Sequence, residues 1–248
     1  MSDSELVHTP LVEPASDLVN TPITASADDL VVTPLLWPTF TLTSILSNNA
    51  DTARGKSGNV VTAIFVASET LAANPTVTFG GKAMTYSSKT DLTYTYTRTL
   101  DGTETEGTNA KLIITATDAN GNLTPSADLG SGSFTTDFTV PTMASAVRTN
   151  NTTLEVSLSE LGLTSTITKA NDGGFTVEEN GTPATTYTVS AIAPGATNDK
   201  VVLTVASVAA SNAAGLKVKY AASGNGTVAD RAGNVLATNA TGVVIAAW

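Results

Sequence analysis

Leu92-Thr93-Tyr94-Thr95-Tyr96-Thr97 alternates apolar and hydroxyl side chains without a break. Successive side chains of a β-strand point to opposite faces, so both tyrosines fall on one face and the threonines on the other. The neighbouring sequence repeats this pattern. Upstream, Thr39-Phe40-Thr41-Leu42-Thr43 alternates and Val60-Val61-Thr62-Ala63-Ile64-Phe65-Val66 is an apolar strand run. Pro75-Thr76-Val77-Thr78-Phe79 ends at Gly80-Gly81, a hairpin signal, and Met84-Thr85-Tyr86 follows. Downstream, Leu112–Thr117 leads into the turn Asp118-Ala119-Asn120-Gly121-Asn122, Phe134–Val140 is expected as a last strand, and Pro141 marks a boundary.

A second cycle follows. Leu154–Leu158, Phe175–Glu179, Tyr187–Val189, Lys200–Val205, Leu216–Tyr220 and Val243–Ile245 read as strands, with turns at Asn180-Gly181 and Asp230-Arg231-Ala232-Gly233-Asn234. About seven short strands per block, broken by turn signals every 8–12 residues or so, predict a β-sandwich in each block. The expected fold is therefore all-β: two tandem Ig-like sandwiches over 37–141 and 142–248, preceded by an extended arm over 1–36. Val208–Gly215 is the one stretch that reads as helical, and it is too short to alter the class.

Composition supports a folded β-rich chain. Threonine accounts for 44 of 248 residues, whereas charged residues make up only 14%. Threonine is β-branched and favours strands, and disordered chains carry more charge and fewer Val, Ile and Leu. There is no cysteine, which excludes disulfides, a thiolate nucleophile and cysteine-based metal sites. A single histidine excludes histidine clusters of the kind that bind zinc. The net charge of -10 argues against a nucleic-acid-binding face, which needs clustered Lys and Arg. No apolar run approaches the roughly 18 residues that cross a bilayer. Met1–Val7 has neither a basic nor an apolar segment of the kind that begins a secretory signal, which leaves assembly without export, or removal of a signal upstream, as alternatives.

The charge is concentrated at the N-terminus. Asp3, Glu5, Glu13, Asp17, Asp28 and Asp29 lie within residues 1–36 with no Lys or Arg, and the first basic residue is Arg54. The same segment repeats Leu-Val-x-Thr-Pro three times at a spacing of 12: Leu6-Val7-His8-Thr9-Pro10, Leu18-Val19-Asn20-Thr21-Pro22 and Leu30-Val31-Val32-Thr33-Pro34. Proline cannot donate to a central ladder and biases the preceding residue to extended conformations, so the segment is expected to be extended and coreless. It reads either as a flexible acidic linker or as a docking peptide. In the second case Leu6, Val7, Pro10, Leu18, Val19, Pro22, Leu30, Val31 and Pro34 add as short strands to equivalent grooves of a larger assembly. At about 3.3 Å per residue, successive copies reach at most ~40 Å apart, a distance between neighbouring subunits. The receiving grooves should be apolar and flanked by Lys or Arg. His8 occupies the position held by Asn20 and Val32 in the other copies, which suits a solvent-facing residue better than a ligand.

Both blocks carry an Asp-x-x-Gly-Asn turn followed by an aliphatic residue: Asp118, Gly121, Asn122 and Leu123, and Asp230, Gly233, Asn234 and Val235. Here residues 37–248 resemble bacterial Ig-like domains of surface proteins. The second block resembles the SwmB-type repeat of adhesins and surface-layer proteins, in which an Asp-x-Ala-Gly-Asn turn precedes the closing strand. Asp230, Ala232, Gly233 and Asn234 match that pattern, while Asn120 stands where the first block would have Ala. The resemblance implies a fold and a surface role; such domains also occur on phage virions.

Chemistry-bearing patterns are sparse. The Asp turns offer oxygens of the kind calcium prefers, but one loop falls short of six to eight ligands, and Asp and Asn also cap turns through their own backbone. The turns are therefore expected to be structural, with no metal and no cofactor. Asp101-Gly102-Thr103-Glu104-Thr105-Glu106 reads as a solvated hairpin tip. Gly130-Ser131-Gly132-Ser133 lacks the Gly-Lys-Ser/Thr of a phosphate loop. Tyr86, Tyr94 and Tyr96 read as cross-strand packing or, alternatively, as an exposed strip for a glycan. Trp37 is expected to plug the first core, and Trp248 to plug the second or anchor to a neighbour. Together these readings predict a non-enzymatic structural protein whose partner is a protein lattice, foremost a phage capsid that it decorates as a cement protein at the virion surface. The alternative is a bacterial or archaeal adhesin, surface-layer or filament subunit at the cell surface.

Overall fold

The computed structural model of the protein describes residues 37–160, 167, 171–179, 185–208, 215–222 and 227–246. The chain is all-β, and Trp37–Trp248 form a compact unit of two tandem Ig-like sandwiches. Among the described residues no helix is long and apolar enough to cross a membrane.

In the first sandwich one antiparallel sheet runs in the order β1 (Phe40–Ser47), β3 (Val60–Ala67), β7 (Thr93–Thr99) and β6 (Thr85–Thr90). The second sheet is β5 (Lys82–Ala83), β4 (Thr76–Phe79), β8 (Leu112–Thr115) and β9 (Ala127–Asp128). The parallel pair β2 (Arg54–Gly55) and β10 (Thr135–Thr136) adds a third layer of bonding. Period-two alternation builds the core. Along β3, Val61, Ala63, Phe65 and Ala67 are buried while the residues between them are half-exposed. Phe65 lies opposite Tyr94 and Ala63 opposite Tyr96 on β7. Tyr94 and Tyr96 are 1% and 2% exposed and stack on Phe65 at 5.7 and 5.8 Å, so the exposed glycan strip is excluded. Only Tyr86 reaches solvent, with its ring edge-on to Tyr96. Burial also pushes the Tyr96 phenol up to about 12, while its hydroxyl donates to the Pro75 carbonyl.

Gly80 and Gly81 form the two-residue turn between Phe79 and Lys82, with φ of 56° and 81°, a left-handed pair that glycine adopts without strain. The edge strand β6 is exposed at every position and carries Lys89, which discourages pairing with other chains.

The second sandwich is a continuous series: β14 (Thr185–Tyr187), β13 (Phe175–Glu179), β17 (Leu216–Tyr220), β18 (Asn239–Ala246), β11 (Met143–Asn150), β12 (Thr153–Leu158), β16 (Lys200–Val205) and β15 (Val189–Pro194). β18 pairs antiparallel with β17 from Asn239 to Val244, and its last two residues pair parallel with β11 at Ala146–Ile245 and Val147–Ala246. That strand therefore joins the two layers. Leu154, Val156, Val201, Leu203, Val177 and Val218 fill the core with Phe175 and Tyr220, whose rings lie 5.0 Å apart. Each such buried side chain contributes roughly 1.5–3 kcal/mol.

Several expectations are corrected. The run Phe134–Val140 contributes only the two-residue β10, because Thr136 pairs with both Gly55 and Gly107 and the chain then leaves the sheet toward the second sandwich. Tyr187–Val189 is not one strand: Tyr187 ends β14 on β13, and Val189 begins β15 on β16. Met143–Asn150 is a strand that alternation misses, since its register shifts twice against β12. Trp37 is 47% exposed and plugs nothing. The helical reading of Val208–Gly215, the Asn180-Gly181 turn and Trp248 lie largely or wholly outside the described residues, with Val208 itself buried.

Candidate functional site

The two Asp turns are built alike. Asp118 Oδ1 accepts from the N–H groups of Asn120 and Asn122, both at 2.8 Å, and Oδ2 accepts from Asn122 Nδ2. Asp230 Oδ1 accepts from the Asn234 N–H and Oδ2 from Asn234 Nδ2, both at 2.9 Å. In each turn the Asp N–H donates to the Asn carbonyl at 3.1 Å and the Gly N–H to the Asp carbonyl at 3.2 Å. Gly121 and Gly233 supply φ of 90° and 85°, which an L side chain adopts only under strain. Burial raises the Asp118 carboxyl, and the hydrogen bonds from Asn122, Asn120 and Gly121 outweigh it, holding it below the usual range.

The match extends to the start of each sandwich. Thr39 and Ser68 exchange N–H to Oγ (3.0 Å) and N–H to carbonyl (2.9 Å) bonds, and Thr142 and Ser159 make the same two bonds at the same lengths. Ser68-Glu69 and Ser159-Glu160 both follow the second long strand of their sandwich. The first turn is also joined to Pro38 through Thr124, and the second to Pro141 through Ala237.

The two turns differ in what covers them. The Asp230 turn docks on the first sandwich: Asn49 Nδ2 donates to the Ala232 carbonyl at 2.7 Å, Lys56 Nζ to the Gly233 carbonyl, and Asn234 Nδ2 to the Asp137 carbonyl at 3.0 Å. Ala232 is fully buried there, whereas Asn120 is exposed, which accounts for the one mismatch between the two motifs.

Four carboxylates meet at this seam. Glu106 Oε1 accepts from the N–H groups of Phe138 and Thr139 and from the Thr139 hydroxyl, so its carboxyl lies below the usual range and clamps the linker. Asp137, Glu160 and Asp230 bring carboxylate oxygens within 4.8 Å of one another. Two full charges at that separation repel by roughly 3 kcal/mol at an effective dielectric of about 20. Burial, with Asp230 and Glu106 nearby, raises Asp137. Burial, with Asp137, Asp230 and Glu106 nearby, pushes Glu160 up to about 7. Arg54 acts on Asp137 in the opposite sense, but its guanidinium pairs with Asp51 at 3.3 Å.

In the acidic loop Asp101, Gly102, Thr103, Thr105 and Glu106 are exposed, as a solvated segment should be, and Glu104 alone departs from that reading: it is 5% exposed, pairs with Arg98 and accepts the N–H groups of Asp101 and Gly102. Asp118, Gly121, Asn122, Asp230, Gly233 and Asn234 all lie in the paired turns. The docking residues Leu6, Val7, Pro10, Leu18, Val19, Pro22, Leu30, Val31 and Pro34, and His8, lie outside the described residues. Sequence reasoning missed Asp137 and Glu160. The available signal was the shared Ser-Glu that precedes an Asp turn in both blocks.

No known protein family and no curated protein matches this sequence. Solved structures similar to it include a plexin A4 extracellular region of domains 1 to 10, at 14% identity over 68% of this chain and 13% of that one, with a TM-score of 0.25. A chimeric titin Z1Z2-Z1Z2 tandem carrying a GRGDS peptide from fibronectin is 11% identical over 85% of this chain and all of that one, with a TM-score of 0.26. A gamma-CGTase from alkalophilic Bacillus clarkii is 16% identical over 80% of this chain and a quarter of that one, with a TM-score of 0.24.

Proposed function

We propose that this chain is a non-enzymatic structural protein. Its N-terminal arm docks on a larger protein assembly, foremost a phage capsid, and its sandwiches are displayed at the virion surface as a decoration. One observation carries the reading: three Leu-Val-x-Thr-Pro copies, 12 residues apart in an acidic segment without Lys or Arg, adjoin a compact unit with two cores of its own. A repeated extended motif suits a lattice that offers one groove many times, and backbone pairing would hold it there. The hydrogen-bonded seam supports the role of the remainder as a fixed spacer.

A second reading, a cell-surface adhesin, surface-layer or filament subunit, is favoured by the Asp-x-Ala-Gly-Asn turn at Asp230–Asn234. Deleting residues 1–36 tests docking. The truncated chain should stay folded and fail to co-sediment with the assembly, and unchanged incorporation would refute the arm's role. Leu6→Asp, Leu18→Asp and Leu30→Asp, made singly, should each weaken incorporation if the copies are equivalent anchors. Recovery of the chain in purified virions rather than in cell envelopes would separate the two assemblies.

A further inference from the structure

We propose that the seam between the sandwiches is a calcium site, with Asp137 from the linker, Glu160 from just beyond β12 and Asp230 from the docked turn as its protein ligands. The inference stands whichever assembly the chain joins.

The geometry comes first. Three carboxylate oxygens lie within 4.8 Å of one another, and opposed oxygens on a calcium ion bonded at 2.3–2.6 Å are about 5 Å apart. Asp230 and Asp137 are held by their own backbone, and Glu160 through its neighbour. Asp230 is fixed by its turn, with the Asp230 N–H on the Asn234 carbonyl. The Asp137 N–H donates to the Gly55 carbonyl at 2.8 Å, and Glu106 holds the two residues that follow. Glu160 follows Ser159, which is bonded twice to Thr142.

A second, independent observation points to a ligand. Glu160 Oε1 has less than 1 Å² of accessible surface and no hydrogen-bond partner, and among the described residues no other side-chain nitrogen or oxygen is in that condition. Buried polar atoms are almost always partnered, and an exception calls for an explanation. No Lys or Arg within 4.0 Å pairs with Asp137, Glu160 or Asp230 among the described residues. A bound divalent cation would supply both the missing partner and the missing positive charge.

The donor set selects the ion. Carboxylate oxygens without sulfur or imidazole suit a hard cation rather than zinc. Calcium accepts six to eight oxygens in a loose geometry, so three carboxylates and water can serve it, whereas magnesium demands a near-ideal octahedron with shorter bonds. The first sandwich supplies an internal control. Glu69 and Asp118 occupy the matching positions, and among the described residues no third carboxylate joins them.

The test is calorimetric titration of the full chain, stripped of divalent ions at neutral pH, with calcium chloride, alongside thermal melting. The wild type should bind calcium at the seam and melt at least about 5 °C higher when calcium is near saturation. Glu160→Gln and Asp137→Asn should each weaken that binding at least about tenfold, since affinity follows ligand charge. Their calcium-free melting temperatures should equal or exceed that of the wild type, because each removes a repelling charge; this separates lost ligation from lost fold. Glu69→Gln should bind like the wild type. Absence of calcium binding, wild-type affinity in both seam variants, or equal affinity for magnesium would overturn the assignment.

Discussion

Replacing Phe65 with alanine tests whether the two cores are thermodynamically separate. Phe65 is fully buried, stacked against Tyr94 and Tyr96 at 5.7 and 5.8 Å and met edge-on by Phe40 at 5.7 Å. Truncating a buried phenylalanine costs about 3–5 kcal/mol through lost transfer energy and a residual cavity. Aromatic pairs add about 0.5–1.5 kcal/mol each beyond area, which places this site near the upper end, at about 5 kcal/mol. For a domain of about 100 residues, 1 kcal/mol shifts the melting midpoint by roughly 4–8 °C, so the first sandwich should melt about 20 °C lower or more. The second core shares no residue with the first. Its coupling runs through the seam bonds of Asn49, Lys56 and Asn234, at about 1 kcal/mol each, so its midpoint should fall far less. Differential scanning calorimetry reads both transitions. Equal displacement of the two, or a drop in the first below about 8 °C, would refute the separation.

Two further predictions concern the turns and the buried phenols. Asn234→Ala and Asn122→Ala remove the same side chain from the same turn, but Asn234 also donates to the Asp137 carbonyl across the seam. Asn234→Ala should therefore cost about 1 kcal/mol more in urea denaturation, and equal losses would remove the seam bond from the account. The Tyr96 phenol, raised by burial to about 12, keeps its proton in the folded chain after the unfolded chain has lost its own near 10. The unfolded state thus binds fewer protons across that window, and stability should fall as pH rises from about 10 to about 12. Spectrophotometric titration of the folded protein should show late ionisation that Tyr96→Phe reduces by one phenol; ionisation of all five tyrosines near 10 would contradict it.

Much of the fold could be read directly from the chain, for a physical reason. Where one face of a strand is buried, period two is written into the residues themselves, as in Leu92–Thr97 and Leu154–Leu158. The Gly80-Gly81 turn and both Asp turns were legible because their geometry depends on residues within five positions of each other. What stayed hidden depends on distant partners. Met143–Asn150 has its alternation broken by register shifts against β12. The 101–106 segment carries the composition of a solvated loop, yet Glu104 is drawn inside by Arg98. The carboxylate cluster is the extreme case: Asp137, Glu160 and Asp230 belong to three separate segments and meet only once both sandwiches have formed and docked.

The parallel pairing of β11 with the end of β18 has a mechanical consequence. β11 is the first strand of the second sandwich and β18 the last. When tension is applied along the chain, it pulls one strand backward from its start and the other forward from its end. Because the two run in the same direction, that load slides them past each other and stretches their hydrogen bonds together instead of peeling them one at a time. The second sandwich should therefore be the stiffer element under pulling, and in the first sandwich the parallel pairing is between β2 and β10 and does not include the entering strand β1.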